Sequence, residues 1–297
     1  MFTTKSESSV KKLQHILRNN SQHWVGDGFP VRSLFSYPKF GASISPFLLF
    51  DYAGPIEFPP TTQRLGVGEH PHRGFETVTI VYSGEVEHRD SSGGGGKIGP
   101  GDVQWMTAAS GIVHEEFHGR DFAQRGGLFE MVQLWVNLPA KDKMSPPRYQ
   151  NILNDQIPVA KLPGDQGKVR VIAGEFDGLR GPAQTFTPIH IWDIRLSRQQ
   201  TIDLTVPEGY NTILAVLKGS VQINHSETIG AAEVAIFDPV GDHIGINTTQ
   251  DTTLLLLSGE PIEESIVGSG PFVMNTEDEI RQAKADYQSG KMGHLPS

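Results

Sequence analysis

The chain matches itself. Gly74-Phe75-Glu76-Thr77, leading to Ser83-Gly84-Glu85-Val86, is echoed by Gly209-Tyr210-Asn211-Thr212, leading to Lys218-Gly219-Ser220-Val221, and the glycines stand 135 residues apart in both pairs. Further on, Gly101-Asp102-Val103 is echoed by Ala232-Glu233-Val234 at an offset of 131, so the second copy has the shorter hairpin. A repeated sequence implies a repeated supersecondary unit. Within that unit the pattern has period two: Phe75, Thr77, Thr79 and Val81 alternate with Glu76, Val78, Ile80 and Tyr82 before Ser83-Gly84 turns the chain, as a strand requires. The expected fold is all-β, two small antiparallel β-barrels of jelly-roll type. The 33 Gly and 20 Pro of 297 residues supply the turns, and the glycines show no three-residue period of the collagen kind.

Helical signals lie only near the ends. Val10, Leu13, Ile16 and Leu17 fall on one face of a helix over Ser6–Asn19. Thr276 with Glu279 makes a capping box; Ile280, Ala283 and Tyr287 share a face, and Gly290 stops the C-terminal helix. The expected organisation is an N-terminal extension (1–40), an N-terminal barrel (41–150) and a C-terminal barrel ending in that helix (151–297). Ser91 to Gly96 reads as a hairpin loop; it lacks the Lys-Ser/Thr and following helix of a phosphate-binding loop.

Composition removes several function classes. With no cysteine there is no disulfide, thiolate nucleophile or Cys-ligated metal. A net charge of −9 argues against nucleic-acid or anionic-membrane partners, which need a basic face. Met1–Val10 lacks the apolar core of a secretory signal, and runs such as Ile213–Leu217 are far too short to span a bilayer. A soluble, cytoplasmic protein is expected.

The chemistry concentrates in two pairs. In an extended segment His70 and His72 project to the same side, and His114 and Glu116 repeat that spacing. Three imidazoles and a carboxylate on an octahedral cation leave open positions for substrate or oxygen. Carried forward by 135 and 131, the four positions become Thr205, Pro207, Gly245 and Asn247, a set without strong ligands. The expectation is one metal-binding barrel and one without. His88, His118, His190 and His243 read as surface or structural histidines, and Glu115 faces away from the pocket.

These residues carry a family resemblance. The segment from His70-Pro71-His72-Arg73-Gly74-Phe75-Glu76-Thr77-Val78 resembles the signature of the pirin family, within the cupin superfamily. So do Pro100-Gly101-Asp102-Val103-Gln104-Trp105-Met106-Thr107-Ala108, Gln133-Leu134-Trp135-Val136-Asn137-Leu138 and Gly270-Pro271-Phe272-Val273-Met274-Asn275-Thr276. Together they span most of the chain from about Pro46 to Gly293. The resemblance implies a bicupin with a metal in the N-terminal cupin, usually Fe2+, with Mn, Ni, Cu or Zn as other choices. It maps the ligands onto His70, His72, His114 and Glu116.

One carboxylate stays open, because the general cupin pattern puts a Glu four residues after the second His, where Glu76 stands. Glu76 is either that ligand or a residue orienting an imidazole. Some pirins cleave flavonols such as quercetin with O2. The resemblance therefore implies a quercetin 2,3-dioxygenase in which Glu116 is both ligand and proton acceptor, with Phe75, Trp105, Met106 and Phe117 as candidates for an apolar slot. The competing implication is an iron-containing, redox-sensitive regulatory protein that binds a protein partner.

Overall fold

The computed structural model describes residues 9–295. In chain order its strands begin β1 (Leu13–Arg18), β2 (His23–Val25), β3 (Phe29–Ser36), β4 (Phe47–Phe58), β5 (Gly66–His72), β6 (Phe75–Ser83) and β7 (Val86–Asp90). They continue β8 (Gly95–Ile98), β9 (Val103–Thr107), β10 (Ile112–His118), β11 (Gly127–Asn137), β12 (Arg148–Ile152), β13 (Val159–Lys161), β14 (Gly167–Ala173), β15 (Glu175–Phe176) and β16 (Leu179–Arg180). The remainder are β17 (Ile189–Leu196), β18 (Thr201–Thr205), β19 (Asn211–Lys218), β20 (Ser220–Ile223), β21 (Glu227–Gly230), β22 (Glu233–Phe237), β23 (His243–Thr248), β24 (Thr252–Gly259), β25 (Val267–Ser269) and β26 (Phe272–Met274).

Two jelly-roll units result. One has a large sheet in the order β12-β9-β6-β11-β4-β3-β2 and a small sheet β5-β10-β7-β8. The other has β1-β22-β19-β24-β17-β14-β13 and β18-β23-β20-β21. Strand for strand these are the same order, so the sequence repeat is one topology folded twice. No helix among the described residues is long and apolar enough to cross a membrane.

The units are not contiguous in the chain, unlike the linear boundaries at 40/41 and 150/151. Among the described residues, one comprises 9–18, Pro158–Gly181 and Pro188–Pro261; the other comprises Asn19–Ile157, Pro182–Thr187 and 262–295. The C-terminal helix thus belongs to the unit that carries His70. It runs over Glu277–Gln288 behind the expected Thr276–Glu279 capping box, and Ile280 and Ala283 pack with Val113, Phe272 and Met274.

The N-terminal helix does not form. Ser6 to Ser8 lie outside the described residues, and Leu13–Arg18 is an edge strand paired antiparallel to β22. It fills the place that β12 fills beside β9 in the other unit. Between Leu13 and His15 the register shifts by a bulge, and a bulge lets two residues three apart share one face of a strand. Leu13 and Ile16 accordingly both pack on the core of their barrel. The helical spacing was a bulged strand.

Each barrel also contains a lysine with its ammonium held by three oxygens. Lys143 donates to the Gly74 carbonyl (2.7 Å), the Asn137 side-chain oxygen (2.6 Å) and the Val273 carbonyl (2.9 Å). Lys11 donates to the carbonyls of Tyr210, Asp238 and Pro239 at 2.8–3.0 Å. Gly74 and Tyr210 precede the equivalent strands β6 and β19, so each lysine fastens the same turn of its own barrel. Three N–H donors meet three acceptors, which is how a buried ammonium is tolerated.

Candidate metal centre

Strand pairing brings the two predicted pairs together. β10 runs antiparallel to β5 with His114 directly opposite His70 and Ile112 opposite His72. The ring centroids of His70, His72 and His114 lie 4.2–4.9 Å apart, and one ligand atom from each falls within 4.8 Å of the others. His70 is half-buried, whereas His72 and His114 are buried.

Each imidazole has its Nδ1 engaged. His70 Nδ1 is 2.8 Å from the Gly68 carbonyl, His72 Nδ1 is 3.4 Å from the Pro271 carbonyl, and His114 Nδ1 is 3.2 Å from His88 Nδ1. A carbonyl only accepts, so His70 and His72 each carry a proton on Nδ1, which leaves Nε2 as the bare nitrogen of the neutral ring. His114 Nε2 is buried with no hydrogen-bond partner. Burial, reinforced by the neighbouring imidazoles, holds His72 and His114 well below the ordinary imidazole range, so both are neutral. An orphaned nitrogen among neutral imidazoles fits a divalent transition metal, which takes that nitrogen in its unprotonated form.

The C-terminal segment secures this edge. Arg73 pairs with Phe272 across an isolated bridge, accepts the Val273 N–H on its carbonyl (3.0 Å) and reaches Asp286 on the helix at 2.9 Å. That return places the Pro271 carbonyl on His72. Gly74, at φ 92°, lies so close that a Cβ would meet the Val273 oxygen at 2.0 Å, which explains the glycine.

Glu116 is buried on the same face of β10 as His114, but it joins a second group, with His88 and His114. No group of His70, His72, His114 and Glu116 together occurs among the described residues. Its Oε1 accepts from Gln104 (2.9 Å) and, more weakly, Thr79 (3.4 Å), while Oε2 has only Gln133 at 3.5 Å. Glu115 faces the other way, bound to Arg64 and Arg89. Glu76 lies outside both groups, on β6, accepting from the Thr107 hydroxyl at 2.7 Å.

Burial pushes Glu76 up from 4.5 to about 7, against the opposing hydrogen bond from Thr107. An acid raised in the fold costs stability as pH climbs from about 4.5 to 7, where the unfolded chain gives up its proton first. Glu76→Gln should therefore match wild type near pH 4.5 and be more stable at pH 8, by at most about 3 kcal/mol. Urea midpoints at the two pH values test this. An unchanged gap between the two proteins would sink it.

Several expectations need correcting. Phe117 turns away from the imidazoles, on the Glu115 face of β10, under the Arg64 guanidinium 3.7 Å from the ring centre. Phe75 does reach the site, 5.1 Å from His72, and is stacked on Trp135, which itself lies 5.4 Å from His72. Met106 packs instead with Ala108, Ile112 and Tyr149, and Trp105 is fully buried. His118 is structural, ringed by Phe29, Phe58, Phe122 and Phe129 and bonded to the Gly28 carbonyl.

His88 is not a surface residue. It is buried against His114 and bonded to Asp90 at 3.0 Å. The His-x-Asp spacing on one strand face was the available signal. The loop after Asp90 joins β7 to β8 as a hairpin, with the N–H groups of Ser92 and Gly94 committed to Asp90 Oδ1.

The second barrel shows what replaced the site. Leu204 pairs with Ile244 as His70 pairs with His114, and Ile223 pairs with Ile246 as His88 pairs with Glu116. The positions equivalent to His70, His72, His88, His114 and Glu116 are therefore Leu204, Val206, Ile223, Ile244 and Ile246, all in one buried core. Thr205, Pro207, Gly245 and Asn247 lie one residue off, on the less buried face. A one-residue shift flips every strand side chain to the opposite face.

A doubled jelly-roll barrel with a cluster of imidazoles in one copy defines a bicupin with a histidine-based candidate metal site. The chain belongs to the pirin family: family models described as Pirin and as Pirin C-terminal cupin domain match residues 28–136 and 191–293. It is 55% identical over 282 residues to a Pseudomonas aeruginosa protein provisionally named quercetin 2,3-dioxygenase, covering 95% of this chain and 98% of that one. A crystal structure of a quercetin 2,3-dioxygenase from Acinetobacter baumannii superposes with TM-score 0.95 at 52% identity, covering 97% of this chain and all of the other. The Escherichia coli pirin YhhW, crystallised with nickel(II), shares the fold at TM-score 0.63 and 21% identity, over 84% of this chain and 99% of its own.

Proposed function

We propose that this pirin opens flavonols such as quercetin with O2, as a quercetin 2,3-dioxygenase, using a divalent metal, iron first among the choices, held by Nε2 of His70, His72 and His114 with Glu116 beside it. The observation that carries the metal is the buried, partnerless His114 Nε2, grouped with His70 and His72, whose Nδ1 atoms both face carbonyls. The names of the two relatives above half identity support the substrate class. When bound, the metal supplies Lewis acidity toward a phenolic oxygen and a redox partner for O2.

The chain's own groups do the rest. Glu116 takes the proton of the flavonol 3-hydroxyl, and Oε2 is the less engaged oxygen for it, with only the long Gln133 contact, since Oε1 is the one held by Gln104. Phe75 and the half-buried Trp135 give a flat aromatic substrate an apolar wall beside His72. The test is aerobic turnover of a flavonol panel by protein loaded separately with iron, manganese, nickel and copper, with detection of the carbon monoxide expected from ring opening. Turnover with at least one metal is expected. Absence of turnover with all four would replace this reading with a metal-containing binding protein.

A further inference from the structure

We infer that Asp90 and His88 set the tautomer of His114, keeping its Nε2 free of a proton for the cation. This rests on the reading of His114 as a ligand. Asp90 Oδ1 accepts from the Ser92 N–H (2.9 Å), the Ser92 hydroxyl (2.6 Å) and the Gly94 N–H (3.0 Å). That leaves Oδ2 facing His88 Nε2 at 3.0 Å. An ionised carboxylate has no proton to give, so His88 Nε2 carries one, and in a neutral imidazole Nδ1 is then an acceptor. With His88 carrying that single proton, His114 Nδ1, 3.2 Å away, is the donor. Its one proton committed there, His114 presents a lone pair at Nε2, the atom that has no partner within the protein.

Both residues are buried, at 1% and 5% exposure, and Tyr149 stacks on His88 with ring centres 5.0 Å apart and planes 9° from parallel. The imidazole therefore has little freedom to turn over and reverse the relay. Asp90 and His88 are positioning residues that act through His114. Groups in such places commonly change metal affinity about 10–100-fold when altered.

Asp90→Asn is the decisive variant because it keeps the shape and reverses the direction. The carboxamide oxygen stays on the Ser92 and Gly94 donors, so its NH2 faces His88 Nε2 and makes that atom an acceptor. The His88 proton moves to Nδ1, and the His114 proton moves to Nε2, where the cation belongs. Ni2+ affinity, measured by competition with a chromophoric chelator, should fall about 10–100-fold. Nitrogen NMR of the metal-free protein should show the His114 proton on Nδ1 in wild type and on Nε2 in the variant.

His88→Gln keeps a donor toward Asp90 and an acceptor toward His114, so it should bind Ni2+ nearly as wild type does, while His88→Leu should not. Wild-type affinity in Asp90→Asn, or an unchanged proton position, overturns the relay. So does binding of two Ni2+ per chain with one lost in His88→Leu, since His88 would then be a ligand itself. If wild type takes up no Ni2+ or Fe2+, the ligand reading fails, and the NMR comparison still decides the relay.

Discussion

Glu116→Gln should reduce flavonol cleavage by ~10²–10⁴-fold, the scale of losing a general base, with the three imidazoles still retaining iron. The substitution preserves shape and removes both charge and basicity. Its amide oxygen can keep the Gln104 and Thr79 donors that now hold Oε1. Its NH2 then replaces Oε2, the oxygen with only a 3.5 Å contact to Gln133, so the loss falls on the atom assigned to the substrate proton. Iron content and turnover are measured on the same preparation. Glu76→Gln is the matched control, because Glu76 belongs to neither cluster and its change should leave turnover within a few-fold. A strong loss from Glu76→Gln with none from Glu116→Gln would move the carboxylate role to Glu76.

Lys143→Met should be the most damaging single change outside the cluster. Methionine fits the volume of the lysine stem but leaves the Gly74 and Val273 carbonyls and the Asn137 amide oxygen without their donor. A buried acceptor left unsatisfied costs about 1–3 kcal/mol, so a loss on the order of 3–5 kcal/mol is expected for the three. Chemical denaturation reads the total. Hydrogen exchange should show the loss first at the Val273 N–H bonded to the Arg73 carbonyl, part of the contact that sets Pro271 on His72. A cost below about 1 kcal/mol would mean that water replaces the ammonium and that the lysine is not the fastener described.

The doubled architecture was legible because β-strand periodicity and turn glycines are local signals, and a repeat states them twice. The C-terminal helix was legible for the same reason, since its capping box needs only Thr276 and Glu279. His70, His72, His114 and Glu116 stood out through i, i+2 spacing, which is a property of one strand. His88 and Asp90 share that spacing, but their relevance depends on β7 lying beside β10, a non-local pairing. The bulge in β1 imitated a helix face, and no local pattern distinguishes the two.

The sequence by itself determined the all-β class, the repeat and the residue types able to hold a metal, since these follow from side-chain chemistry and period. The tertiary structure alone decided which faces meet. Strand register, fixed by pairing across dozens of residues, placed aliphatic Leu204, Val206, Ile223, Ile244 and Ile246 where the first barrel has its imidazoles and carboxylate. A comparison along the chain landed one residue away on the opposite face. The same long-range pairing returned Pro271 to His72 and put His88 against His114, because hydrogen bonds between distant strands, not neighbours in sequence, fix where each side chain points.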